Sequence, residues 1–67
     1  MATKNQIGLE QAIKAAGGVV ALAKKIKVSH QAVAQWDEIP VKRIVAVEKA
    51  TGVPREILRP DLYRQEA

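Results

Sequence analysis

The sequence has no cysteine and no phenylalanine, and only one histidine, one tryptophan and one tyrosine. Without cysteine no disulfide can staple the chain and no thiolate can hold zinc, which fits a reducing cytoplasm. Catalytic candidates are equally scarce. The single histidine, His30, has no set of carboxylates placed to join it around a metal, and no paired carboxylates outline a pocket. Gly17-Gly18 is not followed by Gly-Lys-Ser/Thr, so there is no phosphate-cradling loop. These absences argue against an enzyme, a cofactor, a metal or a small-molecule substrate. No apolar run approaches the roughly 18 residues of a membrane span, and "MATKNQIG" lacks the apolar core of a signal peptide. The expectation is a complete chain in the cytoplasm of a bacterial cell, with no membrane partner. Its 67 residues make one domain, 1–67. A chain so short buries only about 60% of its unfolded surface, so its stability is expected to be marginal.

The net charge of +4 lies in one half. Residues 1–36 carry Lys4, Lys14, Lys24, Lys25 and Lys27 against Glu10 alone, whereas residues 37–67 carry six bases and six acids. A one-sided basic field favours a polyanion such as nucleic acid, although a solvated surface gives the same composition.

Apolar spacing predicts helices and no convincing strand. Leu9, Ala12, Ile13 and Ala16 form one stripe, placing a first helix over about Leu9–Ala16 that stops at Gly17-Gly18. Val19, Leu22, Ala23 and Ile26 repeat the pattern over about Val19–Ile26, with Lys24 and Lys25 off the stripe. Ser29 is a good N-cap for a third helix reaching about Trp36. Val33 and Trp36 face inward there with Ala32 beside them, leaving His30, Gln31 and Gln35 outside. "DEIP" breaks the chain, and Pro40 opens a fourth helix with a stripe of Ile44, Val47 and Ala50 that ends at Gly52. Pro54 opens a last short turn, "PREIL", and Pro60 stops it. The tail is expected to fray after Tyr63. The fold class is therefore all-α, a small bundle of four to five short helices.

The second and third helices meet around Lys27-Val28-Ser29, which reads as a helix-turn-helix over about 18–36. Ala23 supplies the small residue at the close approach, and Leu22, Ile26, Val28, Val33 and Trp36 supply the apolar lock. "GGVVALAKKIKVSHQAVAQWDEIP" resembles the helix-turn-helix of Cro and Cro-like repressors of lambdoid phages and of YdaS-type Cro/CI-like regulators of prophages. "IPVKRIVAVEKATGVPREILRPDLY" is especially similar to the latter group. The resemblance runs from about Gly8 to Tyr63 and implies a lambda-repressor-like DNA-binding domain. One position departs from the pattern. Where such motifs commonly place glycine at the start of the turn, this chain has Lys27, and a left-handed lysine costs on the order of 1 kcal/mol.

The resemblance also implies roles. The recognition helix would enter the major groove of double-stranded DNA, with His30, Gln31, Ala34 and Gln35 toward the base edges. A glutamine can pair bidentately with adenine, and an alanine can touch a thymine methyl. Such a polar, uncharged face suits base discrimination, whereas lysines mainly count phosphates. Ser29, Lys24, Lys25, Lys27, Lys42 and Arg43 are the expected phosphate contacts. Trp36 is expected to pack rather than stack on a base.

One short helix reads few base pairs, so a homodimer on a palindromic operator is expected, as in a Cro-like transcription repressor. Two apolar groups are available for an interface. Val41, Ile44, Val45, Ala46 and Val47 form one; Ile57, Leu58, Leu62 and Tyr63 form the other. Either group can equally complete the core. The alternative function is an antitoxin-like or protein-interaction module that binds a partner protein.

Overall fold

A computed structural model of the chain describes residues 3–63. Within them the backbone forms five α-helices: α1 (Lys4–Ala16), α2 (Val19–Ile26), α3 (His30–Gln35), α4 (Ile44–Thr51) and α5 (Arg55–Leu58). A 3-10 turn, Val41–Arg43, leads into α4. No strand occurs among the described residues. No described helix is long and apolar enough to cross a membrane.

The first helix starts five residues earlier than the apolar stripe alone indicates. Thr3 is its N-cap, and Thr3 and Gln6 form a capping box. Thr3 Oγ1 accepts from the Gln6 N–H at 3.1 Å, and Gln6 Oε1 accepts from the Thr3 N–H at 2.9 Å. The stripe shows only the part of the helix that meets the core, whereas the cap sets where the backbone begins to turn. At the other end Gly17 takes φ 99°, and the Gly18 N–H reaches back to the Ile13 carbonyl at 2.8 Å. That pairing closes the helix end with two backbone bonds and frees α2 to start immediately.

The core is aliphatic, as a chain without phenylalanine requires. Leu22, Ile39, Ile44, Leu58, Val33 and Val47 are the largest side chains buried completely. Trp36 is half-buried against this cluster and lies just beyond the last residue of α3. The expected stripes of α2 and α4 face inward, with Ala50 only half-buried. The "DEIP" break is more than a spacer: Ile39 inside it is fully buried. Both candidate interface groups divide. Ile44, Val47 and Leu58 are core residues, whereas Val41, Val45, Ile57 and Leu62 stay exposed.

α1 packs against α2, α4 and α5. Its contact with α5 depends on Gly8, which is buried. A Cβ at Gly8 would run into the Ile57 carbonyl oxygen and lie 2.7 Å from that of Leu58. The missing side chain lets backbone meet backbone, so a glycine is required in spite of its poor helix propensity.

The C-terminal end of α5 is tied to the loop after α3 by one buried arginine. Arg59 has only 6% of its surface exposed. Its guanidinium donates to the Ile39 carbonyl at 2.7 Å and grips Asp61 with two bonds of 2.8 and 2.7 Å. Glu38 lies 3.3 Å from the same group, and the Asn5 amide donates to Glu38 at 3.0 Å. A second pair joins α4 to α5: Arg55 donates to Glu48 from both its backbone and its side chain. The Arg55 guanidinium also sits 5.5 Å from the Tyr63 ring centre, within cation–π range.

Replacing Gly8 with alanine should cost about 2 kcal/mol of stability, because the inserted methyl meets backbone on which no rotamer change can yield. A urea titration that found the variant equal or superior to the parent would show the α1–α5 contact to be looser than described. The clasp also sets acid behaviour. The Arg59 guanidinium holds the Asp61 carboxyl at about 2, below its ordinary 3.8, and the Arg55 side chain lowers Glu48. The unfolded chain therefore binds protons first. The stabilisation is complete above about pH 5 and is lost progressively as pH falls toward 2. Urea midpoints measured across that range should decline with acid, and Asp61→Asn should flatten the decline.

Candidate nucleic-acid interface

The link between α2 and α3 is built from backbone bonds. Lys27 takes φ 61°, ψ 43°, the sole non-glycine left-handed residue among those described. The Val28 N–H then reaches the Ala23 carbonyl at 3.0 Å, and the Lys27 N–H reaches that of Lys24 at 3.4 Å. This is the same helix-ending pairing as at Gly17, made here with a lysine. It turns the chain sharply enough for Val28 to pack on the core while Ser29 starts the next helix. Ala23, at 2% exposure, lies at this junction, where α2 and α3 pack together.

α3 has only six residues and is fixed at both ends. Ser29 Oγ accepts from the Ala32 N–H at 3.2 Å, and the Trp36 N–H donates to the Val33 carbonyl at 3.1 Å. Val33 is buried and Ala32 half-buried, which orients the helix. His30, Gln31, Ala34 and Gln35 are consequently all exposed. The side chains of His30, Gln31 and Gln35 form no hydrogen bond with another described residue, and no described segment covers them.

The expected phosphate contacts are also on the surface. Lys24, Lys25 and Lys27 are exposed on the last turn of α2 and in the link, beside exposed Ser29. Lys42 and Arg43 are exposed in the 3-10 turn before α4 instead of in the first turn of the helix itself. None of these five cations forms an ion pair among the described residues, so their charge stays available to an external anion. The acids that neutralise the C-terminal half are in part engaged elsewhere, with Arg55 and Arg59.

Between α1 and α3 lies a groove of about 560 Å³ lined by Leu9, Ile13, Trp36, Glu10 and Asp37, and by Ala34 where it borders the exposed side of α3. Its acids set a limit to the basic surface on that side. Among the described residues no three histidine or acidic side chains gather in a way that would hold a metal ion.

The comparison of families decides the kinship. The family profile described as "Bacterial toxin YdaS" matches residues 9–67. The chain belongs to the bacterial toxin YdaS family. It is also similar to the Gene 30 protein of Enterobacteria phage phi80, at 38% identity over 60 residues that cover 82% of each chain. No solved structure matches it. Within this YdaS family member, the segment "LRPDLY" has a structural use that periodicity does not disclose. Arg59 and Asp61 clasp each other across Pro60, and Arg59 holds the carbonyl of Ile39 in the loop that follows α3. The sequence signal was an arginine and an aspartate on either side of a proline that ends a helix.

The left-handed lysine makes a direct expectation. Lys27→Gly should raise stability by about 0.5–1 kcal/mol, the relief of backbone strain less the entropy that glycine gains when unfolded. Denaturant midpoints check this. A loss of stability would mean that the lysine side chain itself supports the turn.

Proposed function

We propose that the chain is a sequence-specific transcriptional regulator of double-stranded DNA, a Cro-like phage or prophage repressor that binds a palindromic operator as a dimer through the major groove. The observation that carries this reading is the outward face of α3. Four exposed residues of mixed polar and apolar character sit on a short helix locked by its turn and both caps, next to exposed, unpaired lysines. His30, Gln31, Ala34 and Gln35 read base edges in this account. Ser29, Lys24, Lys25, Lys27, Lys42 and Arg43 hold phosphates and set the register. The role is binding and not catalysis, and it needs no cofactor or metal. The site of action is the bacterial cytoplasm, at the nucleoid while DNA is bound. Similarity to a phage protein agrees with a phage or prophage setting.

The description of the family as a toxin favours a second reading, in which the chain acts on the cell by docking on a partner protein. The two differ in salt dependence. Phosphate neutralisation gives a log-affinity slope near −0.9 per contact against log salt. Selection of bound duplexes from a random pool tests the first reading, since it reports consensus, symmetry and half-site spacing together. Recovery of no enriched sequence at low salt would favour the partner-protein reading.

Two substitutions separate the roles assigned to the helices. Gln31→Ala should relax preference at one operator position by about 1–3 kcal/mol; uniform weakening at every position would count against direct readout by this residue. Lys25→Ala should weaken all duplexes alike and reduce the salt slope by about one contact. A changed base preference with unchanged general affinity would remove Lys25 from the phosphate set.

A further inference from the structure

We infer that a second copy of the chain docks on the face shared by α1 and α5, with Lys4 of each copy opposite Glu56 of the other. This deepens the DNA-binding reading, which needs two copies for a palindrome, but the surface is argued from its own geometry. Gly8 brings the α5 backbone against α1. That contact places Lys4 and Glu56 on the walls of one cleft of about 660 Å³, together with Ile57, Tyr63 and Asp61, the last already neutralised by Arg59. Lys4 and Glu56 form no ion pair with each other or with another described residue. Ile7, one helical turn from Lys4, is 43% exposed, and Ile57 is 36% exposed. Apolar side chains beside one unpaired positive and one unpaired negative group form a patch that can be its own complement. A two-fold interface requires that property, because each residue's partner is supplied by the same surface turned over.

The competing apolar surface lacks it. Val41 and Val45 are more exposed, at 61% and 45%. Of their charged neighbours, Lys42, Arg43 and Lys49 form no ion pair among the described residues and all have one sign, whereas Glu48, one turn from Val45, is taken by Arg55. A two-fold contact there would set like charges together and cover cations assigned to phosphates. The α1–α5 face contains no residue of α3, so two copies joined through it leave both outward helix faces open. It offers few exposed apolar side chains, Ile7 and Ile57 among them, where a stable complex uses roughly 800 Å² per partner. Association in free solution is therefore weak, and DNA that holds two copies side by side strengthens it.

Sedimentation equilibrium of the full chain at low salt, from micromolar to millimolar protein and without DNA, tests the assignment. The expected result is a monomer–dimer equilibrium that Lys4→Glu or Glu56→Lys each weakens roughly tenfold, since two pairs turn repulsive at once. The double reversal should restore parental association, because both pairs re-form with exchanged signs. Circular dichroism confirms that each variant is folded, and Ile57→Gln provides a further weakening variant if one reversal unfolds. A monomer at every concentration would overturn the proposal. So would a dimer indifferent to both reversals, or one abolished by Val45→Glu alone. Because the readout contains no DNA, failure to find an operator would leave this result standing, and a strict monomer would leave DNA binding to be judged by its own assay.

Discussion

The backbone bond from the Val28 N–H to the Ala23 carbonyl is the constraint on which the functional surface depends. It closes α2 and aims the chain for α3 within three residues, Lys27 to Ser29. A six-residue helix has no stability of its own, since isolated helices shorter than about 12–15 residues are marginal in water. α3 exists because the turn delivers Ser29 to cap it and because Val33 is buried against α2. The same two facts leave the remaining residues of the helix facing outward. The left-handed lysine shows that the turn geometry is held by the surrounding packing even where the residue is unfavourable, since strain of this kind persists only when its neighbours over-determine it.

A second constraint works from the opposite end of the chain. The stretch after α3 must leave the helix, bury Ile39 and re-enter a helix at α4. A backbone carbonyl taken inside there without a partner would be costly. Arg59 meets that need by donating to the Ile39 carbonyl while its charge is balanced by Asp61 and Glu38. The C-terminal motif thus supports the helix pair from behind without taking part in its outward face. α1 completes the frame: Asn5 reaches Glu38, and Gly8 admits α5.

Much of this was legible in the sequence because it follows from short-range patterns. The 3.6-residue stripes of α2 and α4, the Ser29 cap, the stops at Gly17-Gly18 and Gly52, and the three-residue link are all local. The exposure of His30, Gln31, Ala34 and Gln35 follows from burial of Val33 on the same short helix. Features that required tertiary structure were hidden. The start of α1 was missed because its first turn lies off the core and is announced only by Thr3 and Gln6. Ile39 was hidden inside a breaker segment, where no periodicity could mark it as buried. Arg59 looked like one base in a neutral half of the chain, since nothing in local spacing tells which arginine will be taken inside. The apolar residues of α4 and α5 could not be apportioned between core and surface until the helices were placed.

The central claim is that the outward side of α3 meets the edges of a DNA duplex. The most direct measurement is an amide chemical-shift map of the isotope-labelled protein titrated with the duplex consensus selected from a random pool. The account predicts that the largest changes fall on His30, Gln31, Ala34 and Gln35, with smaller ones along Lys24 to Ser29 and at Lys42 and Arg43. Changes centred on Val41 and Val45, or on the groove beside Leu9 and Trp36, with α3's outward residues unmoved, would contradict it.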